Sequence, residues 1–215
     1  MKIQKKFSVL LADDHKIVRH GLRRILEDEF TEALVSEASR DSEVFEQLEK
    51  SKFNIIILDI SMPGKSGLEV LKDIKSMYPQ IPVLILSMYP EEQFALRVMK
   101  SGAAGYVRKD SAPEELVDAV NDILSGKKYY SPAVMDLLSD KVKRGAKTEL
   151  SEILSDREYE IFMLIAQGKT VSEIAEILSL SVKTVSTHRT HILEKTKLKN
   201  NADIVMYAVR NNLLQ

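Results

Sequence analysis

The chain has 215 residues, of which 44% are hydrophobic, so it can bury a core and is typical of a globular protein. Its 31 basic residues nearly balance 32 acidic ones, so any nucleic-acid partner has to be argued from a local patch. The absence of cysteine excludes disulfides and thiolate metal sites, which fits a reducing cytoplasm. No run of about 18 or more apolar residues occurs, so we expect neither a membrane span nor a signal peptide.

Up to about residue 126, short β-rich runs alternate with amphipathic stretches of helical length. The runs are FSVLLA, ALVSEA, NIIIL, PVLILS and AAGYV. Strand and helix units that alternate in this way predict a doubly wound, five-stranded parallel sheet with helices on both faces, an α/β fold. Residues 55–58 and 83–86 are continuously apolar, so these two runs are predicted to be the central strands.

The rest of the chain has a different pattern, without further β-rich runs. Residues 127–149 lack the apolar surface for a core and end in the basic segment KVKRGAK, which predicts a partly helical, solvated linker. From residue 150 onward every segment has a helical pattern. The predicted organisation is therefore an α/β domain over residues 1–126, a linker over 127–149 and a small all-α domain over 150–215.

Polar side chains follow the predicted strands where each strand ends. Asp13 and Asp14 follow the first strand, Asp59 ends the third, Ser87 ends the fourth, and the fifth leads to Lys109. Ligands of open parallel sheets lie at these carboxyl ends, so we expect the groups to meet in one crevice. Clustered carboxylates favour Mg²⁺ or Mn²⁺, and a lysine and a hydroxyl beside them suit a phosphoryl group.

The tripeptide Gly64-Lys65-Ser66 raises a competing interpretation, a nucleotide-binding P-loop. That motif would place its first glycine at position 59, where the carboxylate of Asp59 would instead repel a phosphate. A phosphatase of the haloacid-dehalogenase type would also use an aspartate after a buried strand, but it has a second aspartate two residues later, where Ser61 stands. We therefore interpret Asp59 as the reactive group and the tripeptide as the turn into the next helix.

Taken together, the pocket residues resemble the receiver domain of two-component response regulators, with a flavodoxin-like fold over residue 7 to about residue 125. The resemblance implies that Asp59 accepts a phosphoryl group from a sensor histidine kinase. The implied metal ligands are Asp14, Asp59, the backbone carbonyl of Ser61 and, through water, Asp13. The implied phosphoryl-binding and switch residues are Lys109, Ser87 and Tyr106, the last of which would turn inward.

The all-α half begins with a capping box, formed by Ser155 and by Glu158 three residues later. Gly168 ends the first predicted helix. A short helix over residues 170–178, a tight turn and a third helix over about 182–196 predict a helix-turn-helix, in which the helix after the turn lies in the major groove of DNA.

The third predicted helix lies in a local positive patch, because residues 181–199 contain five Lys or Arg against the single acid Glu194. Val185 and Ile192 would point to the core, which leaves a short-chained polar face outward. Serine and threonine on such a face can bond to base edges, and flanking basic and polar groups suit phosphates. The residues predicted at phosphates are Lys183, Thr184, His188, Arg189 and Lys195. The alternative is an ordinary solvated helix face.

This segment resembles the LuxR-type DNA-binding domain of regulators of the NarL/FixJ class, from about residue 150 to the C-terminus. The resemblance is carried by Leu-Ser-x-Arg-Glu at 154–158, Glu-Ile-Ala at 173–175 and Lys-Thr-Val-x-x-His at 183–188. It implies that Ser186, Thr187 and Thr190 occupy base-reading positions. It also implies that a closing helix over residues 202–211 pairs two domains through Ile204, Val205, Ala208 and Val209.

The expected function is that of a cytoplasmic, DNA-binding transcription regulator controlled by phosphorylation. We expect no enzymatic activity beyond Mg²⁺-dependent phosphorylation and dephosphorylation of the chain itself. The expected partners are a sensor histidine kinase, double-stranded promoter DNA and, on activation, a second copy of the chain. Two alternatives stay open: an interaction protein whose helical domain binds a protein, and a regulator that works without phosphate.

Overall fold

The structure is a computed structural model that describes residues 6–62, 64–132, 134–136, 153–211 and 213–214. The chain divides into two compact units, Met1–Ser139 and Asp140–Gln215. Pro63 and residues 137–149 of the predicted linker lie outside the described residues.

The first unit alternates strands and helices throughout. Its elements are β1 Phe7–Ala12, α1 Lys16–Glu29, β2 Ala33–Ala38, α2 Asp41–Lys50, β3 Ile55–Asp59, α3 Gly67–Met77, β4 Val83–Ser87, α4 Glu91–Lys100, β5 Gly105–Arg108 and α5 Ala112–Leu124. The five strands pair in the order β2-β1-β3-β4-β5, and every pairing is parallel. The predicted doubly wound α/β sheet is confirmed.

The two predicted central strands are buried over their whole length in β3 and β4. Ile55, Ile57, Leu84 and Leu86 pack into a core with apolar side chains of α1 and α5. The strand order reverses direction between β1 and β3, and open α/β sheets bind ligands at the carboxyl ends of strands beside such a reversal. The crevice that the sequence predicts therefore lies where β1 and β3 end.

The tripeptide at 64–66 forms a turn and a helix cap, as the sequence predicts. The Ser66 hydroxyl accepts from the Glu69 N–H at 3.3 Å, and the Glu69 carboxylate accepts from the Ser66 N–H at 3.0 Å, which together make a capping box for α3. Gly67 follows at the start of α3, where a Cβ atom would lie 2.3 Å from the carbonyl oxygen of Asp59. The start of α3 can approach the end of β3 only because residue 67 has no side chain.

The first part of the predicted solvated linker is instead packed on the sheet, which corrects that prediction. The Tyr106 N–H donates to the Tyr129 carbonyl at 3.0 Å, and the Tyr129 N–H donates to the Ala104 carbonyl at 2.9 Å. The Tyr130 hydroxyl donates to the Ala103 carbonyl at 2.7 Å, and Val134 is fully buried. We call residues 127–132 and 134–136 the edge segment, because Tyr129 within it pairs with backbone groups along the open edge of β5.

The second unit is helical. Its helices are α6 Asp156–Ala166, α7 Val171–Ile177, α8 Val182–Thr196 and α9 Asn201–Arg210. The predicted capping box of Ser155 and Glu158 is present at the start of α6. Val185 and Ile192 are fully buried, as the helical spacing predicts, and α6 packs against both α8 and α9. The helix-turn-helix arrangement of α7 and α8 is thus confirmed.

In the part of the chain that the structure describes, no helix combines the length and the apolar character needed to cross a membrane.

Replacing Gly67 by alanine should destabilise the first unit by roughly 1–3 kcal/mol, because the new methyl group meets the backbone of β3. Gly21→Ala is the matched control, since a Cβ atom there has nothing within 4 Å and alanine favours the interior of α1 by roughly 0.5–1 kcal/mol. Urea unfolding followed by circular dichroism measures both. Equal stability of the two variants would contradict the close approach at residue 67.

Candidate phosphoacceptor site and nucleic-acid interface

A buried lysine joins two buried carboxylates at the carboxyl end of the sheet. Lys109 Nζ lies 2.7 Å from Asp59 Oδ2 and 2.7 Å from Asp13 Oδ2. The side chains of Asp13 and Asp59 are 0% and 1% exposed, and that of Lys109 is 5% exposed. The structure therefore brings together the three groups that the sequence places after separate strands.

The acidic groups are close enough to share one cation. Ligand atoms of Asp13, Asp14, His15 and Asp59 all lie within 4.8 Å of one another. The Ser61 N–H donates to Asp59 Oδ1 at 3.1 Å, which holds residue 61 beside Asp59. This is the position from which the Ser61 carbonyl is predicted to bind the metal. A pocket dominated by carboxylate oxygens suits Mg²⁺ or Mn²⁺.

Sequence reasoning missed His15 as a member of this pocket. Its Nδ1 lies 2.8 Å from Asp14 Oδ1 and 3.4 Å from Asp13 Oδ1. The signal was present in the sequence, because His15 directly follows the two aspartates. It was not a distinctive one, since a histidine at the start of an exposed helix is ordinary.

Burial raises the pKa of Asp59 to about 6, an effect that Asp13 increases and that Lys109 and the Ser61 N–H oppose. For Lys109, burial acts to lower the pKa, but the charges of Asp59 and Asp13 outweigh it and the pKa is raised. Lys109 is therefore an ammonium group at neutral pH. Asp59 is an ionised carboxylate there, with less margin than an exposed aspartate has.

The predicted switch residues form a chain of hydrogen bonds beside the pocket. The Ser87 hydroxyl accepts from the Tyr89 N–H at 3.0 Å, and the Tyr106 hydroxyl donates to the Tyr89 carbonyl at 2.8 Å. Tyr106 is 1% exposed, so its ring already lies inward in this structure, and burial raises the pKa of its hydroxyl. Dependence of this position on phosphorylation stays a prediction.

The face of α8 opposite its buried residues is exposed and polar. Lys183, Thr184, Ser186, Thr187 and Thr190 all lie on the surface of the helical unit. The Thr187 hydroxyl donates to the Lys183 carbonyl at 3.0 Å, and the Thr190 hydroxyl donates to the Ser186 carbonyl at 3.1 Å. These hydroxyl protons are used inside the helix, so both threonines present an acceptor oxygen and a methyl group, which suit base amino groups and the thymine methyl.

Two of the residues predicted at phosphates are held by other side chains. Lys195 Nζ donates to both carboxylate oxygens of Glu158, at 2.8 and 2.7 Å, and Arg189 Nε donates to Asn201 Oδ1 at 2.6 Å. Glu158 needs this partner because its side chain is only 5% exposed. Lys195 thus links α8 to the start of α6, and a contact of this residue with a DNA phosphate would have to compete with that ion pair. Arg189 and His188 are half-buried, while Lys183 and Thr184 are exposed.

The predicted dimer surface on α9 also needs correction. Ile204 and Ala208 are fully buried, because their spacing places both on the face that packs against α6. Val209 is 58% exposed and Val205 is half-buried, so only these two of the predicted residues lie on the outer side. Met206, which is 51% exposed, joins them there and was missed.

The fold and the site together define a class of protein, one in which an α/β domain with an acidic, lysine-containing pocket is followed by a helix-turn-helix domain. Residues 9–121 match the model of the response regulator receiver domain, and residues 152–208 match that of the bacterial regulatory proteins of the luxR family. The chain belongs to the DNA-binding response regulators of the NarL/FixJ class.

Relatives and solved structures agree with this membership over nearly the whole chain. The oxygen regulatory protein NreC of Staphylococcus epidermidis is 37% identical over 96% of this chain and 99% of its own length. The response regulator UvrY of Escherichia coli is 34% identical over 96% of this chain and 95% of its own. The RcsB response regulator of Salmonella typhimurium is 28% identical over 95% of this chain and 97% of its own, with a TM-score of 0.66.

Lys183→Ala should weaken binding to double-stranded DNA and reduce the slope of log affinity against log salt by about 0.9, because one phosphate contact is lost. Lys195→Ala should leave that slope unchanged and lower the stability of the helical unit by about 1 kcal/mol, because Glu158 loses its partner. Fluorescence anisotropy on DNA selected from a random pool, with urea unfolding alongside, measures both. Equal loss of slope in the two variants would contradict the assignment of Lys195 to an internal contact.

Proposed function

We propose that this response regulator is a transcription regulator that is switched by transfer of a phosphoryl group from a sensor histidine kinase to Asp59. The observation that carries the proposal is the pocket itself, in which Asp59 is buried at the end of β3 with Lys109 at 2.7 Å. Burial keeps water from hydrogen bonding to the Asp59 carboxylate, and the lysine supplies a fixed positive charge for the incoming phosphoryl group. Its chemistry would be confined to its own phosphorylation and dephosphorylation.

Asp14, Asp59 and the carbonyl of Ser61 would hold one Mg²⁺ or Mn²⁺ ion, with Asp13 bound through water. The fit rests on the clustering of the carboxylate oxygens within 4.8 Å. When bound, the ion would supply positive charge to the carboxylates and to the phosphoryl oxygens.

In the transfer step, an oxygen of the Asp59 carboxylate would form a bond to phosphorus while the bond from phosphorus to the donor imidazole breaks. Lys109 would then pair with a phosphoryl oxygen instead of the Asp59 carboxylate. The Ser87 hydroxyl accepts from the Tyr89 N–H and would donate its own hydrogen to another phosphoryl oxygen.

Phosphorylation would change the switch residues through this new bond to Ser87. The phosphoryl group would carry about two negative charges in place of the single charge of the Asp59 carboxylate, and it would attract the hydrogen-bond donors around the pocket. Ser87 and Tyr106 both form hydrogen bonds with the backbone of Tyr89, so a shift of Ser87 would reach the Tyr106 hydroxyl through that residue. The inward position of Tyr106 would then be favoured in the phosphorylated state.

The output would be a homodimer that binds promoter DNA through α8. The outer side of α9, with Val205, Met206 and Val209, offers the apolar strip for pairing two helical units. A dimer of this kind would bind two half-sites about one helical turn, or a multiple of it, apart. RcsB of Salmonella enterica serovar Typhimurium, 29% identical with a TM-score of 0.60, has been solved bound to a promoter with a phosphomimetic. With DNA and a kinase as partners, the chain would act in the cytoplasm.

The LuxR-type match favours DNA over a protein as the ligand of the helical unit. The complete pocket favours regulation by phosphate over a phosphate-independent regulator.

Acetyl phosphate with Mg²⁺ should label the wild-type chain and should not label Asp59→Asn, because the amide lacks the nucleophilic oxygen. Asp110→Asn is the matched control, since Asp110 is exposed and pairs with Arg108. Phosphate-affinity electrophoresis measures the labelled fraction. Equal labelling of the wild type and Asp59→Asn would falsify the assignment of the acceptor.

The affinity for Mg²⁺ should weaken as the pH falls through about 6, because the pKa of Asp59 is raised to about 6 and a proton competes with the cation for this carboxylate. Below that pH the loss should approach about tenfold per pH unit. Isothermal titration calorimetry on either side of this pH measures the trend, and the residual affinity of Asp59→Asn should lack it. An affinity of the wild type that does not change with pH in this range would rule out Asp59 as a ligand.

A further inference from the structure

Arg19 has no part in the proposed transfer, yet its side chain reaches the base of the acidic pocket. Its Nε donates to Glu37 Oε2 at 2.7 Å, and its Nη1 donates to the backbone carbonyl of Asp13 at 2.5 Å. The side chain of Arg19 is only 13% exposed. An arginine bonded on two sides and largely removed from water is held in one position, unlike a solvated arginine on a helix surface.

The carbonyl that Arg19 binds belongs to the peptide group between Asp13 and Asp14. This peptide is planar, so a bond to its oxygen fixes the direction in which the chain and the Asp14 side chain continue. The other groups of Asp13 have different partners: its N–H donates to the Ala38 carbonyl at 3.1 Å, and its Oδ1 accepts from the His15 N–H at 2.8 Å. The Arg19 bond is thus the contact that acts on the peptide leading to Asp14.

Glu37 keeps Arg19 in place and is shared with Arg23. Arg23 Nη1 donates to Glu37 Oε1 at 3.0 Å, while Arg19 occupies Oε2. Burial alone would raise the pKa of Glu37, but the hydrogen bonds from Arg19 and Arg23 outweigh it and hold this pKa below its ordinary value. Glu37 lies in β2 opposite Leu11 of β1, so strand pairing fixes the backbone position of Glu37.

We infer that Arg19 is a positioning residue for the divalent cation, because it orients the Asp13–Asp14 peptide and thereby aims the Asp14 carboxylate into the pocket. The inference rests on the proposed phosphoacceptor function and names a determinant of cation affinity in that site. Outer groups that orient metal ligands commonly change metal affinity by roughly 10- to 100-fold when they are replaced.

The chain offers a matched control for this inference. Lysine carries one nitrogen, so it can pair with Glu37 but cannot reach the Asp13 carbonyl at the same time in the way the two guanidinium nitrogens do. Arg19→Lys therefore keeps the positive charge and loses the contact to that carbonyl. Arg23→Lys makes the same change on the same helix, and the hydrogen bonds of Arg23 go to Glu37 and Glu27, away from the pocket. Arg19→Gln is a second variant that removes both contacts without placing an ammonium group in a largely buried position.

The test is titration of Mn²⁺ into the full chain, with free Mn²⁺ followed by electron paramagnetic resonance and Mg²⁺ added as competitor. Arg19→Lys and Arg19→Gln should bind Mn²⁺ about tenfold more weakly than the wild type. Arg23→Lys should stay within about twofold of the wild type. Urea unfolding of each variant checks that the titrated chain is folded. At saturating Mn²⁺, the rate of labelling of Arg19→Lys by acetyl phosphate should return to that of Arg23→Lys.

Wild-type affinity in both Arg19 variants, or an equal loss in Arg23→Lys, would overturn the inference. If Arg19→Lys unfolds, Arg19→Gln decides alone by the same comparison. A wild type that binds no Mn²⁺ would overturn the metal site of the proposed function and this inference with it. A wild type that binds Mn²⁺ without being labelled at Asp59 would overturn the phosphotransfer only, and the affinities would still decide the role of Arg19.

Discussion

The contact of Lys109 with two buried carboxylates is the interaction on which the site depends. Asp13 and Asp59 are almost fully removed from water, and two such charges would repel each other strongly without a cation between them. With Asp14, three carboxylates face one ammonium group. The net charge of these four groups is minus two, which the two positive charges of one divalent cation would balance. The same lysine therefore stabilises Asp59, the proposed nucleophile, as a buried carboxylate, and it leaves a net negative charge that a divalent cation would neutralise.

Much of this site is predictable from the sequence, because parallel strands end at one edge of the sheet. Ala12 pairs with Leu58 in the register of β1 and β3, so Asp13 and Asp59 follow in step. Ser87 pairs with Arg108, which places Lys109 one residue further along the same edge. The elements that carry these residues are strongly patterned, and a one-residue error in register would move every side chain to the other face.

The features that could not be predicted depend on contacts between residues far apart in sequence, or lie on a helix with two apolar faces. Nothing near Lys195 indicates that Glu158, 37 residues earlier, needs its charge. Helix α9 has apolar residues on both sides, so periodicity alone did not separate the buried Ile204 from the exposed Met206. Residues 127–149 as a whole lack the apolar surface for a core, which predicts a linker, while it is backbone hydrogen bonds of Tyr129 that attach the edge segment to β5.

The edge segment gives Tyr106, the proposed switch residue, a second connection. The Tyr106 hydroxyl is bound to the Tyr89 carbonyl next to the pocket, and the Tyr106 N–H is bound to the Tyr129 carbonyl on the other side of the strand. A Cβ atom at Gly105 would lie 2.7 Å from that Tyr129 oxygen, so the approach of the edge segment to β5 leaves no room for a side chain. A displacement of β5 at Tyr106 must therefore move Tyr129 or break its hydrogen bonds. The strand that carries Tyr106 is therefore joined by hydrogen bonds to the edge segment, the last part of the first unit that the structure describes.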